Sequence, residues 1–397
     1  MNSSQNNIEM RKQNAVIGAL VADAASLGLH WLYDAERIKQ VAGDEPEFVT
    51  PNKSHYENVA GFFSHPMKEV GDITQYGEQL VVSLRSLAEN NGKWKPFHYL
   101  ETFRDAFDCG GSFHGYIDAS TSGTLANYHQ AKTKLMEEAK AEAPGIEKYP
   151  LMVASELFQT IGLSASGEEL IDPILKSMSA IFTDEKILKQ LESVVRYYEK
   201  NRTCVLGFSE DNQVPSYSKL PPLVACYAGD PSLYDKVEEA IRITSDNDEA
   251  VMYSLFGARA LEQVILGESI PKALQIASEL SDKTVKEKIN HSLNFEYKTL
   301  VELGTEYGTN CIVHQAFPVS TAILNKAPNY TTGVRENILA SGDNAGRSIF
   351  MGAMLGAAYC TDPAKAIPIS WLAKIKSLPE YLGLTAKALK LKKGSRP

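Results

Sequence analysis

Ile17-Gly18-Ala19-Leu20-Val21-Ala22-Asp23-Ala24-Ala25-Ser26 is too apolar for an exposed segment and lacks the alternation of a strand. Ile17, Leu20, Val21, Ala24 and Leu27 recur at helical spacing. Gly18, Ala22 and Ser26 line a second face without bulk, which lets another helix approach at backbone distance. Asp23 stands in the middle of this run, where a charge is costly in a membrane, so the segment 15–32 reads as a buried helix and not as a signal sequence or a span. His30, Trp31 and Tyr33 are expected to end that helix and to form the wall of a pocket.

A second small-faced helix is expected near the other end of the chain. It opens at Ser341-Gly342-Asp343-Asn344 and runs through Phe350, Met351, Met354 and Leu355, with Gly352 and Gly356 as its small positions. Between the two, helical spacing recurs at 73–87, 97–107, 124–141, 151–161, 171–182, 184–198, 231–242, 249–266, 283–303 and 311–324. Residues 36–70 have no steady period and contain Pro46, Pro51 and Pro66, the pattern of a long connection, and long connections often line sites. Strand-like alternation is nearly absent, so the fold class is all-α. No linker divides the chain: a polar leader (1–12), one helical domain (13–386) and a basic tail (387–397) are expected.

The 397 residues suffice for a large core, and the 44% apolar and 22% charged fractions are ordinary for a globular chain. A net charge of −9 without a basic stripe works against nucleic acid as a partner. Cys109, Cys204, Cys226, Cys311 and Cys360 are odd in number and show no Cys-x-x-Cys spacing, which fits a reducing, cytoplasmic setting better than a disulfide framework or a zinc site.

Asp23, Asp72 and Asp343 stand in or at the start of helices whose other positions read as buried, and a buried charge needs a partner, a metal or a shifted pKa. For Asp72, with Gln75 three residues on, and for Asp343, helix capping is the alternative reading; mid-helix Asp23 has no such excuse. His30 is a candidate acid/base or a structural histidine. The hydroxyl-rich run from Gly115 and Tyr116 to Gly123 precedes a helix, and its backbone N–H groups are a candidate anion site.

Gly18 to Ala24, Gly71-Asp72-Ile73-Thr74-Gln75, Ile243-Thr244-Ser245-Asp246-Asn247-Asp248 and Gly342-Asp343-Asn344-Ala345-Gly346-Arg347-Ser348 resemble, in order, the signature segments of the ADP-ribosylglycohydrolase family. Thr74-x-Tyr76-Gly77-Glu78-Gln79 and Gly342-Asp343-Asn344-x-x-Arg347 are similar to the branch of that family containing the J-crystallins and selenoprotein J. The resemblance implies a multihelical orthogonal bundle and a magnesium pair held between a Thr-Asp-Asp-Thr and an Asp-x-Asp-Thr segment. Asp72 and Asp343 keep the first aspartate of each, whereas Ile73, Ala345 and Gly346 replace oxygen ligands, so at most one weakly held magnesium ion is expected. Ser245 stands where the family's central segment commonly has His, and His30 falls about where a catalytic Glu would follow the first helix.

Two functions follow from this pattern. One is a hydrolase of an ADP-ribose-like ligand, with His30, Asp72 and Asp343 as acid/base groups and Asp23, Tyr76, Gln79, Gly115, Tyr116, Asn344 and Arg347 around the substrate. The other is a structural, crystallin-like protein that keeps the fold without catalysis. A ligand binder without turnover lies between them.

Overall fold

The computed structural model of the protein describes residues 3–154 and 171–391. Among them the chain is helical, and no strand forms; pairing outside helices is limited to isolated bridges of Leu32 with Gly61 and Gly342 and of Gln213 with Ile312.

The centre of the molecule is the packing of helix Ser3–Ser26 against helix Asn344–Tyr359, the most extensive helix–helix contact in the fold. The two small-residue faces meet there. A Cβ on Gly18 would run into the carbonyl of Gly352, and one on Gly356 into the carbonyl of Asn14, so these glycines set the approach distance. Ser26 and Ser348 hydroxyls meet at 2.7 Å at one end, and the buried Tyr330 hydroxyl donates to the Gly18 carbonyl at 2.6 Å. Apolar side chains on both helices are almost completely removed from water, each contributing about 1.5–3 kcal/mol for the larger aliphatics.

Several expectations need correcting. The first helix starts at Ser3, so the polar stretch read as a loose leader is helical from there on. It also stops at Ser26; a 3-10 turn, Leu27–Leu29, follows, His30 is extended, and Trp31 takes a left-handed conformation (φ 59°). Gly28 permits this turn, because a Cβ there would clash with the Val49 backbone. The helix Gln75–Glu89 is capped by Thr74, whose side chain accepts from the Tyr76 N–H, and not by Asp72. The segment 283–303 is two helices, Lys283–Asn294 and Leu300–Tyr307, because Thr299 caps a new start by accepting from the Glu302 N–H.

Helices Ala35–Ala42, Ile270–Glu279 and Tyr330–Leu339 lie where no helix was expected. The pattern at 151–161 lies partly outside the described residues, as does the basic tail from 392 on. Besides the main core, smaller clusters around Ile174, Met178 and Leu191 and around Ala139 and Val194 join helices Ala119–Ala141, Ile171–Ile181 and Glu185–Asn201.

Candidate active site

Where the two central helices end and begin, the chain is held by backbone bonds between three distant segments. Trp31 N–H donates to the Gly342 carbonyl, Gly342 N–H to Leu32, Tyr33 N–H to Ala60, and Phe62 N–H to Trp31. Trp31, Ser341 and Gly342 all have positive φ there, and strain of this kind persists only where surrounding contacts over-determine it. A fourth segment joins through Asp343 N–H, which donates to the Thr309 carbonyl, while Val214 N–H donates to Cys311.

This frame places Asp343 against His30. Asp343 caps the helix Asn344–Tyr359: its Oδ1 accepts from the Gly346 N–H at 3.0 Å and lies 2.9 Å from His30 Nε2, while its Oδ2 accepts from the Tyr76 hydroxyl at 3.0 Å. The other ring nitrogen of His30, Nδ1, lies 2.7 Å from Nε2 of His65. Asp343 and His30 are completely buried, and His65 is nearly so. Burial, then the neighbouring His30 and Lys68, hold the His65 imidazole well below its ordinary pKa. Burial and the adjacent Asp343 carboxylate push the Tyr76 hydroxyl far above the ordinary tyrosine range, so it stays a donor.

Asp23 serves the same frame from the first helix. Its carboxylate accepts from Thr74 N–H at 2.7 Å and Thr74 Oγ1–H at 2.5 Å, fixing the residue that caps the helix carrying Tyr76. Gly77 makes room for it, since a Cβ there would come within 2.6 Å of Asp23 Oδ2. Desolvation raises the Asp23 pKa to about 7 against the lowering effect of Thr74. Asp72 is placed elsewhere: its Oδ2 accepts from the Glu69 N–H and from Lys376 Nζ at 3.0 Å, in a partly exposed ion pair. It shares no partner with Asp343, so the two acids expected to act together do not.

A second polar cluster gathers around Asp118. Gln79 Nε2 donates to Asp118 Oδ2 and to Thr121 Oγ1, and Asp118 caps helix Ala119–Ala141 by accepting from the Thr121 N–H. The carboxylate of Asp118 therefore already occupies the helix start expected to receive an anion. Lys219, fully buried, donates to the Ser216 carbonyl and to Thr244 Oγ1. Burial lowers its pKa to about 7 against the pull of Asp118 and Asp211, and burial raises Asp211 to about 6. Asp211 Oδ2 is shut off from solvent without a hydrogen-bond partner. Such shifted groups cluster at functional sites more often than elsewhere.

The remaining expected contacts divide. Tyr116 is half-buried, its ring 5.0 Å from Trp31 in an edge-on arrangement, with Phe62 5.9 Å away. Gly115 lies against the Phe113 ring. Asn344 donates from Nδ2 to the Leu29 carbonyl, and Arg347 spends its guanidinium inside the protein, donating to Asn337 Oδ1, the Asn337 carbonyl and the Ser341 carbonyl. Arg347 is 1% exposed and braces the turn before Asp343 through Nε and Nη2, while its buried Nη1 has no hydrogen-bond partner.

His65, Asp118, Asp211 and Lys219 were not singled out individually as site residues from sequence. His65 sits in a Pro-bounded stretch without period, where a lone histidine carries no signal; Lys219 is a single cation in the apolar run Tyr217 to Val224, which does mark burial.

Comparison with known proteins follows the same lines. The family model for ADP-ribosylglycohydrolase matches residues 4–396. The chain belongs to the ADP-ribosylglycohydrolase family. This family member is similar to Crystallin J1A of Tripedalia cystophora, 25% identical over 92% of this chain and 91% of that one. It is also similar to Crystallin J1B of the same animal, 24% identical over 98% and 99% of the two chains. Among solved structures it shares its fold with an ADP-ribosylglycohydrolase-related protein complex, at a TM-score of 0.55 and 15% identity, over 97% of this chain and 99% of that one.

The ADP-ribosylglycohydrolase resemblance implied a magnesium pair, and the donors present here do not fit one. Ile73, Ala345 and Gly346 bring no side-chain oxygen, Asp72 is tied to Lys376, and both oxygens of Asp343 are engaged by His30, Gly346 and Tyr76. Among the described residues, no group of three or more His, Cys, Asp or Glu side chains is arranged to hold a metal ion. No described helix is long and apolar enough to cross a membrane.

Proposed function

We propose that this family member binds an ADP-ribose-like ligand against the exposed aromatic corner of Trp31, Phe62 and Tyr116, and does so without a magnesium pair. The aromatic corner carries this reading. Phe62 is 54% exposed although it lies within 6.0 Å of Trp31 and 5.9 Å of Tyr116, so a large apolar face is left open beside a deep polar network. Rings arranged edge-on and tilted in this way suit the flat face of a base, which gains area and quadrupole contacts together.

Absence of the metal pair is supported by the commitment of Asp343 to three protein donors, two on Oδ1 and one on Oδ2, and by the side chains of Ile73, Ala345 and Gly346, which bring no oxygen to complete a cation's shell. The test is thermal unfolding with ADP-ribose in EDTA and in magnesium. A ligand that binds only the native state raises Tm by mass action, so an equal rise in both buffers is expected. A rise in magnesium alone would contradict metal independence, and no rise in either would remove the ligand.

A second reading, a structural protein that has given up turnover, draws on a different observation. Asp23 and Asp343 have protein partners for both oxygens, as in a fold optimised for stability, and two similar proteins carry the name crystallin. Failure of ADP-ribose to shift Tm is the outcome that favours it.

A further inference from the structure

We infer that the hollow between the first and last helices binds an alkyl carboxylate, its head group between Lys12 and Lys390 and its chain along Ile8, Leu389 and Leu391. The site is separate from the one around Asp343, because Lys12 stands roughly 21 Å back along the axis of the helix Ser3–Ser26 from its end.

The hollow measures about 520 Å³, within the range of small-molecule sites. Three elements meet there: the early turns of the helix Ser3–Ser26, the end of the helix Leu220–Tyr227 and the chain that follows the helix Leu378–Ala388. A tight turn after the last of these brings Lys390 round. Lys390 takes a left-handed conformation (φ 55°), its N–H donates to the Lys387 carbonyl, and the Leu391 N–H reaches back to the Ala386 carbonyl at 2.9 Å. This is the helix stop usually built on glycine, here built on a lysine. Cys226 closes on the same turn, its Sγ–H donating to the Ala388 carbonyl at 3.7 Å.

The charges in the hollow call for an anion. Lys12 and Lys390 come from opposite ends of the chain, and both act electrostatically on the Cys226 sulfur in the wall, so the two ammonium groups converge. Neither Nζ has a hydrogen bond or ion pair with another described residue. Burial lowers the Lys12 pKa against the pull of Cys226 and Glu9, which leaves this amine short of a counter-charge. Glu9 is the one carboxylate in the lining, so the two lysines outnumber it; burial pushes the Cys226 thiol up to about 12 and keeps it neutral.

The walls call for an alkyl chain behind that anion. Ile8, Cys226 and Leu389 pack against the main core while keeping part of their surface open. The lining has no aromatic ring on which a base could stack and no arginine to grip a phosphate at two points. Each methylene that enters such a wall from water strengthens binding about fourfold.

The test is calorimetric titration of octanoate into the full chain, with butanoate, octanol and inorganic phosphate as comparisons. Saturable octanoate binding is expected, with butanoate and octanol each weaker by about tenfold or more, because one lacks methylenes and the other the charge. In protein labelled with carbon-13 at isoleucine methyls, octanoate should shift the Ile8 signal and leave that of Ile289, buried and outside the hollow, in place. Lys12→Gln and Lys390→Gln should each weaken octanoate about tenfold, whereas Lys272→Gln, exposed and outside the hollow, should not. Lys390 is exposed, so its variant folds whatever becomes of Lys12→Gln. Phosphate bound as tightly as octanoate would overturn the alkyl class of ligand. Octanoate bound equally by Lys390→Gln and the natural protein, or bound without a shift at Ile8, would overturn the site, and an absence of saturable octanoate binding would overturn both.

Discussion

His30 Nε2 lies 2.9 Å from Asp343 Oδ1 across 313 residues of sequence, and both side chains are fully buried. A contact of that span exists only because the helix Ser3–Ser26 and the helix Asn344–Tyr359 are pressed together along their small-residue faces, bringing the end of one beside the start of the other. The packing that makes the core thus also makes the site.

Asp343→Ala removes a helix cap and leaves the N–H groups of His30 and Gly346 and the Tyr76 hydroxyl without their acceptor. The expected loss is about 3–5 kcal/mol in urea unfolding, more than a cap alone supplies. A loss below about 1 kcal/mol, the size of a single surface cap, would mean that the buried contacts carry little.

Gly352→Ala places a methyl group against the Gly18 carbonyl and Ala22 Cβ, where only backbone can yield. Thermal unfolding should show destabilisation of about 3 kcal/mol. Gly383→Ala, inside the helix Leu378–Ala388 at a glycine whose added Cβ meets nothing within 4 Å, is the control, with an expected stabilisation of about 0.5–1 kcal/mol.

Asp23 gives a pH dependence of defined sign. Its folded pKa of about 7 lies above the ordinary aspartate value of 3.8, so the folded protein holds a proton there that the unfolded chain releases. Stability from this group is intact below pH 3.8 and is lost as pH rises to 7. The stability of Asp23→Asn minus that of the natural protein should therefore climb by up to about 1.4 kcal/mol per pH unit across that window. A flat difference between pH 4 and 7, measured by urea unfolding, would place the Asp23 proton elsewhere.

Much of this was legible before any coordinates. Gly18, Ala22, Gly352 and Gly356 announce two helices able to touch, because small residues at helical spacing have few other uses, and Asp23 in a buried helix announces a partner. The segment order carries the family. What stayed hidden is partner choice. Asp72 and Thr74 are both good caps two residues apart, and Lys376, beyond the reach of any local pattern, draws Asp72 away. Arg347 reads as a phosphate fork until the turn at Ser341 is seen to need its donors. His65 has no neighbours in sequence that betray His30.

The aromatic corner makes its own demand. Trp31→Ala and Phe62→Ala should each weaken binding of ADP-ribose by about tenfold or more, an aromatic contact being worth about 1–3 kcal/mol per base. Phe62→Ala, at an exposed position, should do so with little loss of stability, and calorimetric affinity beside Tm distinguishes the two effects. Unchanged affinity in both variants would move the ligand away from this corner.

The most direct measurement is calorimetric titration of ADP-ribose into metal-stripped protein in EDTA, repeated with magnesium at saturation. Saturable binding with the same affinity in both buffers is the predicted result. Binding that appears only with magnesium, or no heat in either buffer, would contradict the metal-independent site.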